Sequence, residues 1–252
     1  MSADDDLGAC AGLLARGDPE RFRATMAAPV ALRRMLLPLY AFNLEVARAP
    51  WVTREPLIAQ MRLQWWHDAL DEIAAGGPVR RHEVVTPLAA ALDARAASDL
   101  GDLGEARRGD IDGASARERA DLLRYLDRTA GTLLWTAARL AGTGDEAAMR
   151  DAGRAQGIAS WLLAVPDLVA RGRAPLPAGD PTGETRALAQ EGLAAWDRFR
   201  QARVPPVARP VLLVLTDVRP ILAQAARHGE ASAPGPLGSR LRLGWAALTG
   251  RG

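Results

Sequence analysis

Apolar residues recur every three or four positions through most of this chain. That is the period of an amphipathic α-helix, and alternating strand patterns are nearly absent. Ala and Leu dominate the periodic segments, which favours helix. The pattern predicts helices over 5–16, 19–27, 30–48, 54–75, 84–98, 117–141, 145–170, 185–202, 207–227 and 237–249. Pro50 should end the helix that starts near Val30, because proline disfavours helical geometry in the residue before it. Thr53 is the expected cap of the next helix, with Pro56 in its first turn. "AAGGP" (74–78) and "RAPLPAGDPTGE" (173–184) are the clear breaks. Composition and charge do not change across the second break, so one helical domain of eight to eleven helices over 1–252 is expected. "GTLLWTAARLAG" (131–142) and "GIASWLLAVPDLVA" (157–170) are apolar on more than one face. Such helices lie inside a large bundle, where cavities between helices bind ligands.

Composition narrows the partners. The 252 residues are 48% hydrophobic and 25% charged, with a net charge of +2. That balance makes no electrostatic case for nucleic acid. All of the basic charge is arginine. The single cysteine, Cys10, forbids an internal disulfide and any multi-cysteine metal site, and reads as an idle, buried thiol. The start "MSADDDLGAC" is acidic and lacks the basic-then-apolar order of a signal peptide. No apolar run reaches the roughly 18 residues needed to span a bilayer. A cytoplasmic protein is expected, with a membrane surface still open to it.

Four segments carry a resemblance. They are "ALRRMLLPLYAFNLEVAR" (31–48), "QMRLQWWHDALDEI" (60–73), "YLDRTAGTLLWTAARLAG" (125–142) and "AQGIASWLLAVPDLVARGRAPLP" (155–177). In that order and spacing they resemble the squalene/phytoene synthase family. The resemblance implies an all-α, terpene-synthase-like helical bundle. The family's members join prenyl diphosphates head to head. Ionising an allylic diphosphate needs Mg²⁺, which takes hard oxygen ligands, and the family supplies aspartate pairs from two facing helices.

Those aspartates are missing here. Laying "YAF" on the family pattern puts the first set at Ala47, Arg48 and Trp51. Counting back from "RGRAPLP" puts the second at Ala164 and Leu168, with Asp167 between them. Neither a methyl group, a guanidinium, an indole nor a butyl chain ligates Mg²⁺. Glu45 lies about 200° round the helix from Ala47 and is a poor substitute. The resemblance makes Tyr40, Asn43, Ala47, Arg48, Trp51, Trp161, Ala164 and Leu168 former motif positions lining a cavity. Trp51 and Trp161 should partly fill it. The wording "YAFN-L-E-V-A" then "R-L-Q-W-W" further resembles the family's assembly-factor branch, which helps build respiratory complex I and lacks the aspartates. This implies a non-catalytic protein whose partners are complex I subunits or assembly intermediates, with no cofactor, cytoplasmic or peripheral on the inner membrane.

Two other readings stay open. A divergent prenyltransferase would need Mg²⁺ and replacement ligands from Asp68, Asp71, Glu72 and Asp167. His67 and Asp71, four apart, are a weaker pair of ligands. A lipid or isoprenoid carrier would use the cavity without chemistry. Arg171 and Arg173 of "RGR" are candidates to grip an anion, or else complement the end of a helix. "GPLGSRLRLGWAALTGRG" (235–252) interleaves Arg240, Arg242 and Arg251 with leucines and Trp245. That pattern suits an anionic membrane, and it equally suits a helix docked on its own bundle.

Overall fold

The computed structural model describes residues 3–53, 55–113 and 118–250. Among them the chain is helical, without strands. The order is α1 (Ala3–Gly17), α2 (Pro19–Ala27), α3 (Val30–Arg48), α4 (Pro56–Ala74), α5 (Val85–Ala91), α6 (Ala94–Ala106), α7 (Arg119–Leu126), α8 (Thr132–Leu140), α9 (Glu146–Ala170), α10 (Pro181–Phe199), α11 (Val218–His228) and α12 (Pro236–Thr249). Aspartates start four of these helices. The carboxylates of Asp18, Asp93, Asp145 and Asp180 each accept the backbone N–H three residues on, beginning α2, α6, α9 and α10. Each satisfies a donor that has no partner inside its helix.

α3 is the central helix. Leu36 to Leu44 are all buried, and Tyr40 and Phe42 are sealed from solvent. A helix buried on every face is what its nearly unbroken apolar sequence requires. Phe42 meets Trp66 edge-on at 5.5 Å, and Trp66 meets Trp65 at 4.9 Å. The tryptophan pair of α4 therefore belongs to the core. α9 packs between α8 and α10, and one buried apolar cluster runs from Cys10 to Ala246. Cys10 donates to the Glu83 carbonyl at 3.5 Å, and burial pushes its thiol up to about 12. It stays an un-ionised thiol at neutral pH.

Several boundaries differ from the sequence pattern. The helix expected over 84–98 is two, because Asp93 leaves helical geometry to cap α6. α6 then runs on into residues expected to be loop. The helix expected over 117–141 is interrupted by a π turn, Asp127–Gly131, between α7 and α8. There Thr129 donates to the Tyr125 carbonyl at 2.8 Å, and Arg154 from α9 grips Asp127. The stretch Arg209–Leu215, expected as helix, is a 3₁₀ turn behind Pro205, Pro206 and Pro210, which give no backbone N–H. Thr53 does not cap α4. Glu55 holds that position, and Thr53 accepts the Glu55 N–H at 3.1 Å. Arg54 and Arg117, which began expected helices, and Arg251, one of the arginines of the 235–252 pattern, lie outside the described residues.

The π turn and α9 approach each other backbone to backbone. A Cβ on Gly153 would sit 2.7 Å from the Gly131 Cα and 2.8 Å from the Ala130 carbonyl oxygen. Backbone cannot yield as a flexible side chain does, so Gly153→Ala should cost about 1–3 kcal/mol. Urea denaturation should show a lower midpoint at unchanged slope. A second expectation concerns acid. Two hydrogen bonds from Arg139, at 2.7 and 2.9 Å, hold the Asp93 carboxyl down to about 2. Its unfolded value is about 4. The pair therefore stabilises the fold above that value, and the contribution disappears as pH falls towards 2. Asp93→Asn, which keeps a helix cap, should make urea stability less pH-dependent across that window.

Candidate functional site

A cavity of about 990 Å³ opens between α3, α7, the π turn and α9. It is at the upper end of the range, about 300–1,000 Å³, typical of small-molecule sites. Small side chains create the space: Ala47 from α3, Ala130 from the π turn, and Gly157, Ser160 and Ala164 from α9. Leu44, Leu122, Leu126 and Leu168 supply apolar wall.

Of the positions expected to line it, Asn43, Ala47, Arg48, Trp51, Trp161, Ala164 and Leu168 do, and so do Arg171 and Arg173. Tyr40 does not, which corrects the expectation for that residue. It points into the core beneath Arg21, whose guanidinium lies 5.7 Å from the ring centre. Burial pushes its phenol up to about 12, and its hydroxyl has no hydrogen-bond partner. Trp161 narrows the space without closing it. Its indole N–H donates to the Pro175 carbonyl at 2.9 Å, and its ring meets Tyr125 at 5.6 Å.

The lost first motif and the end of the second meet at Trp51. Arg171 and Arg173 lie 5.7 and 5.1 Å from its ring centre, a cation–π arrangement. Gly172 makes this possible. With φ +75° it ends α9, and the N–H groups of Gly172 and Arg173 reach back to the carbonyls of Val169 and Leu168. This tight reversal needs a left-handed residue and turns Arg173 back towards the cavity. Arg171 closes α9, and both arginines line the cavity.

Other site residues gave little signal in sequence. Arg107, Asp110 and Tyr125 form a cluster in the cavity wall. Tyr125 donates to the Asp110 carboxylate at 2.8 Å, and Arg107 donates to the Tyr125 hydroxyl at 2.5 Å. Burial drives the Tyr125 phenol well above its ordinary value, so it stays protonated and can donate. Arg107 and Asp110 lie in a 3₁₀ turn, Arg107–Asp110, with no helical periodicity to mark them. Arg21 enters the wall from α2, held by Asp18 at 2.5 Å. The Nε atoms of both Arg21 and Arg107 are buried without an acceptor.

The donor set does not fit Mg²⁺. Four carboxylates line the cavity, and Asp18, Asp110 and Asp121 are paired with Arg21, Arg107 and Arg124. Asp167 is left, opposite no second acid of the former motifs. Among the described residues no three His, Cys, Asp or Glu gather into a set able to hold a metal. The replacement ligands on α4 are elsewhere. Asp68 accepts from Gln64 at 2.8 Å, Asp71 faces His67 at 3.7 Å, and Glu72 is forked by Arg80 at 2.6 Å, with its carboxyl held below the usual range by that hydrogen bonding. None of them lines the cavity with Asp167.

Residues 14–246 match the family model for squalene/phytoene synthase. The chain belongs to the squalene/phytoene synthase family. Solved structures of similar fold include a dehydrosqualene synthase in complex with ligand, at TM-score 0.80 and 15% identity over 99% of this chain and 96% of that one. Squalene synthase HpnC from Alicyclobacillus acidocaldarius superposes at TM-score 0.73 and 20% identity, covering 90% and 95%. At these identities the likeness shows the fold. Curated relatives point elsewhere by name. The Drosophila melanogaster protein named NADH dehydrogenase (ubiquinone) complex I, assembly factor 6 homolog is 32% identical over 179 residues, 66% of this chain and 52% of that one. The Bos taurus assembly factor 6 is 27% identical over 198 residues, 70% of this chain and 56% of that one. The chain thus spans about half the length of these relatives.

The packing on Trp51 can be measured. Trp51→Ala and Arg173→Ala should show a coupling of about 0.5–1 kcal/mol in a double-mutant cycle read by urea denaturation. Strict additivity would mean that ring and guanidinium do not interact.

Proposed function

We propose that this chain is a non-catalytic member of its family that acts in the assembly of respiratory complex I. The observation that carries this reading is at the former metal site. The cavity persists, but its motif positions are Ala47, Arg48, Trp51, Ala164 and Leu168, with two guanidiniums against the indole. Three of the four lining carboxylates are paired with arginine, so the wall offers Mg²⁺ no free pair of acids, and ionising an allylic diphosphate depends on that ion's charge. The relatives named as complex I assembly factors support the same reading. Its partners are then complex I subunits or assembly intermediates, met at the inner-membrane surface, and no cofactor takes part.

A second reading adds to the first without replacing it. The buried Nε donors of Arg21 and Arg107 have no acceptor, and both border a cavity of ligand size. Buried donors without partners are costly, and an anionic group would satisfy them. Its apolar part would lie along Leu44, Leu122 and Leu126. A bound acidic lipid or isoprenoid is therefore the expected co-purifying molecule, detectable by native mass spectrometry.

Membranes from a strain lacking the gene should show a missing or truncated complex I on a native gel stained for NADH dehydrogenase activity. Re-supplying the gene should restore it. An intact complex in normal amount would remove the assembly role. Mg²⁺-dependent turnover of a prenyl diphosphate by the purified protein would remove the non-catalytic one.

A further inference from the structure

α12 is two-faced in an unusual sense: it is apolar on both sides. Its inner side docks on the bundle. Ala246 is buried, Leu243 packs on the core, and Arg242 reaches Asp217, its Nε at 2.8 Å. Its outer side carries Leu237, Leu241, Trp245 and Leu248, exposed by 73, 66, 68 and 87%. At about 100° per residue these four fall within about 80° of arc, roughly opposite the docked side. Four large apolar side chains in one exposed stripe cost solubility and need a reason.

The charges around the stripe indicate what covers it. Residues 231–250 contain no Asp or Glu. Arg240 is exposed and lies at about 60° beyond Leu237, along one edge of the stripe. Arg242, on the other edge, is held by Asp217. The exposed Arg209 packs beneath the end of the helix, near Gly250. A tryptophan within a leucine stripe, edged by arginine and free of acids, matches an interface rich in anionic headgroups. No helix among the described residues is long and apolar enough to cross a membrane. α12, at 14 residues, suits lying along one.

We propose that the outer stripe of α12 inserts into the surface of an anionic bilayer, with Arg240 meeting lipid phosphates at its edge. The bundle then hangs from one docked helix, fixed in orientation by the Arg242–Asp217 pair. The inference does not depend on the role in complex I, because it concerns a bare lipid surface.

The purified full chain should float with vesicles of equimolar phosphatidylcholine and phosphatidylglycerol, and much less with phosphatidylcholine alone. Leu241→Glu with Trp245→Glu should weaken this at least about tenfold, because each substitution replaces inserted apolar surface with charge. Both positions are exposed, so melting temperature should barely change, and this checks that folding is intact. Arg240→Glu should reduce the preference for the anionic lipid while leaving the melting temperature unchanged. Failure of the native chain to float, or equal flotation by the double variant, overturns the proposal. So does a native chain that dimerises through the stripe and is made monomeric by the double variant without binding vesicles, which would assign the stripe to a second copy.

Discussion

Two guanidiniums, those of Arg171 and Arg173, pack on Trp51 in the wall of the central cavity. The same region, in the family pattern, presents carboxylates from two helices to Mg²⁺. Replacing carboxylates with neutral side chains alone would weaken metal binding. Placing Arg48, Arg171 and Arg173 there goes further, because the local field now favours anions over cations. Of the four lining acids, Asp18, Asp110 and Asp121 answer arginines, which leaves Asp167. A site that neutralised diphosphate through metal ions would have to break those pairs first. Breaking the two less exposed pairs, Asp18–Arg21 and Asp110–Arg107, leaves a charge with little water and no partner.

The cavity is held open for a packing reason. Beside it the π turn crosses α9, and glycine keeps that crossing close at Gly153 and Gly157. Larger residues would push the helices apart, while the small side chains at 130, 157, 160 and 164 keep the space open above. Arg154 on Asp127 and Thr129 on the Tyr125 carbonyl secure the widened turn. The shape is thus specified in part by close approach of backbones. Filling the cavity would require coordinated change on several helices, because its lining comes from α3, α7, the π turn and α9.

Sequence periodicity exposed most of the helices because most bury one face or all faces against neighbours. It failed where local chemistry overrides the period. Asp93 prefers to cap rather than continue, and the π turn spends one extra residue without changing composition. Prolines 205, 206 and 210 tighten a segment whose leucines and valines look helical. The site was legible in part. Trp51, Trp161 and the "RGR" arginines stand beside recognisable segments, and Gly172 signals the reversal that aims Arg173. Arg21, Arg107, Asp110 and Tyr125 come from four separate stretches, and only tertiary packing brings them to one wall. Tyr40 errs in the other direction, since being part of a motif does not decide which way a side chain on a fully buried helix points.

The C-terminal helix shows the same limit from the surface. An apolar–basic pattern at helical period fits a helix docked on its own bundle and a helix lying on a membrane, and the sequence alone does not choose. In the structure the apolar residues fall into two sets on opposite sides. Leu243 and Ala246 fill the inward set, and Arg242 is anchored to Asp217 beside them. Leu237, Leu241, Trp245 and Leu248 have no such duty. A helix needing only to dock would do so with polar residues in those four places and gain solubility. Their apolar character is therefore a property of the outer face itself, and it sits on the part of the chain with arginine and without acid.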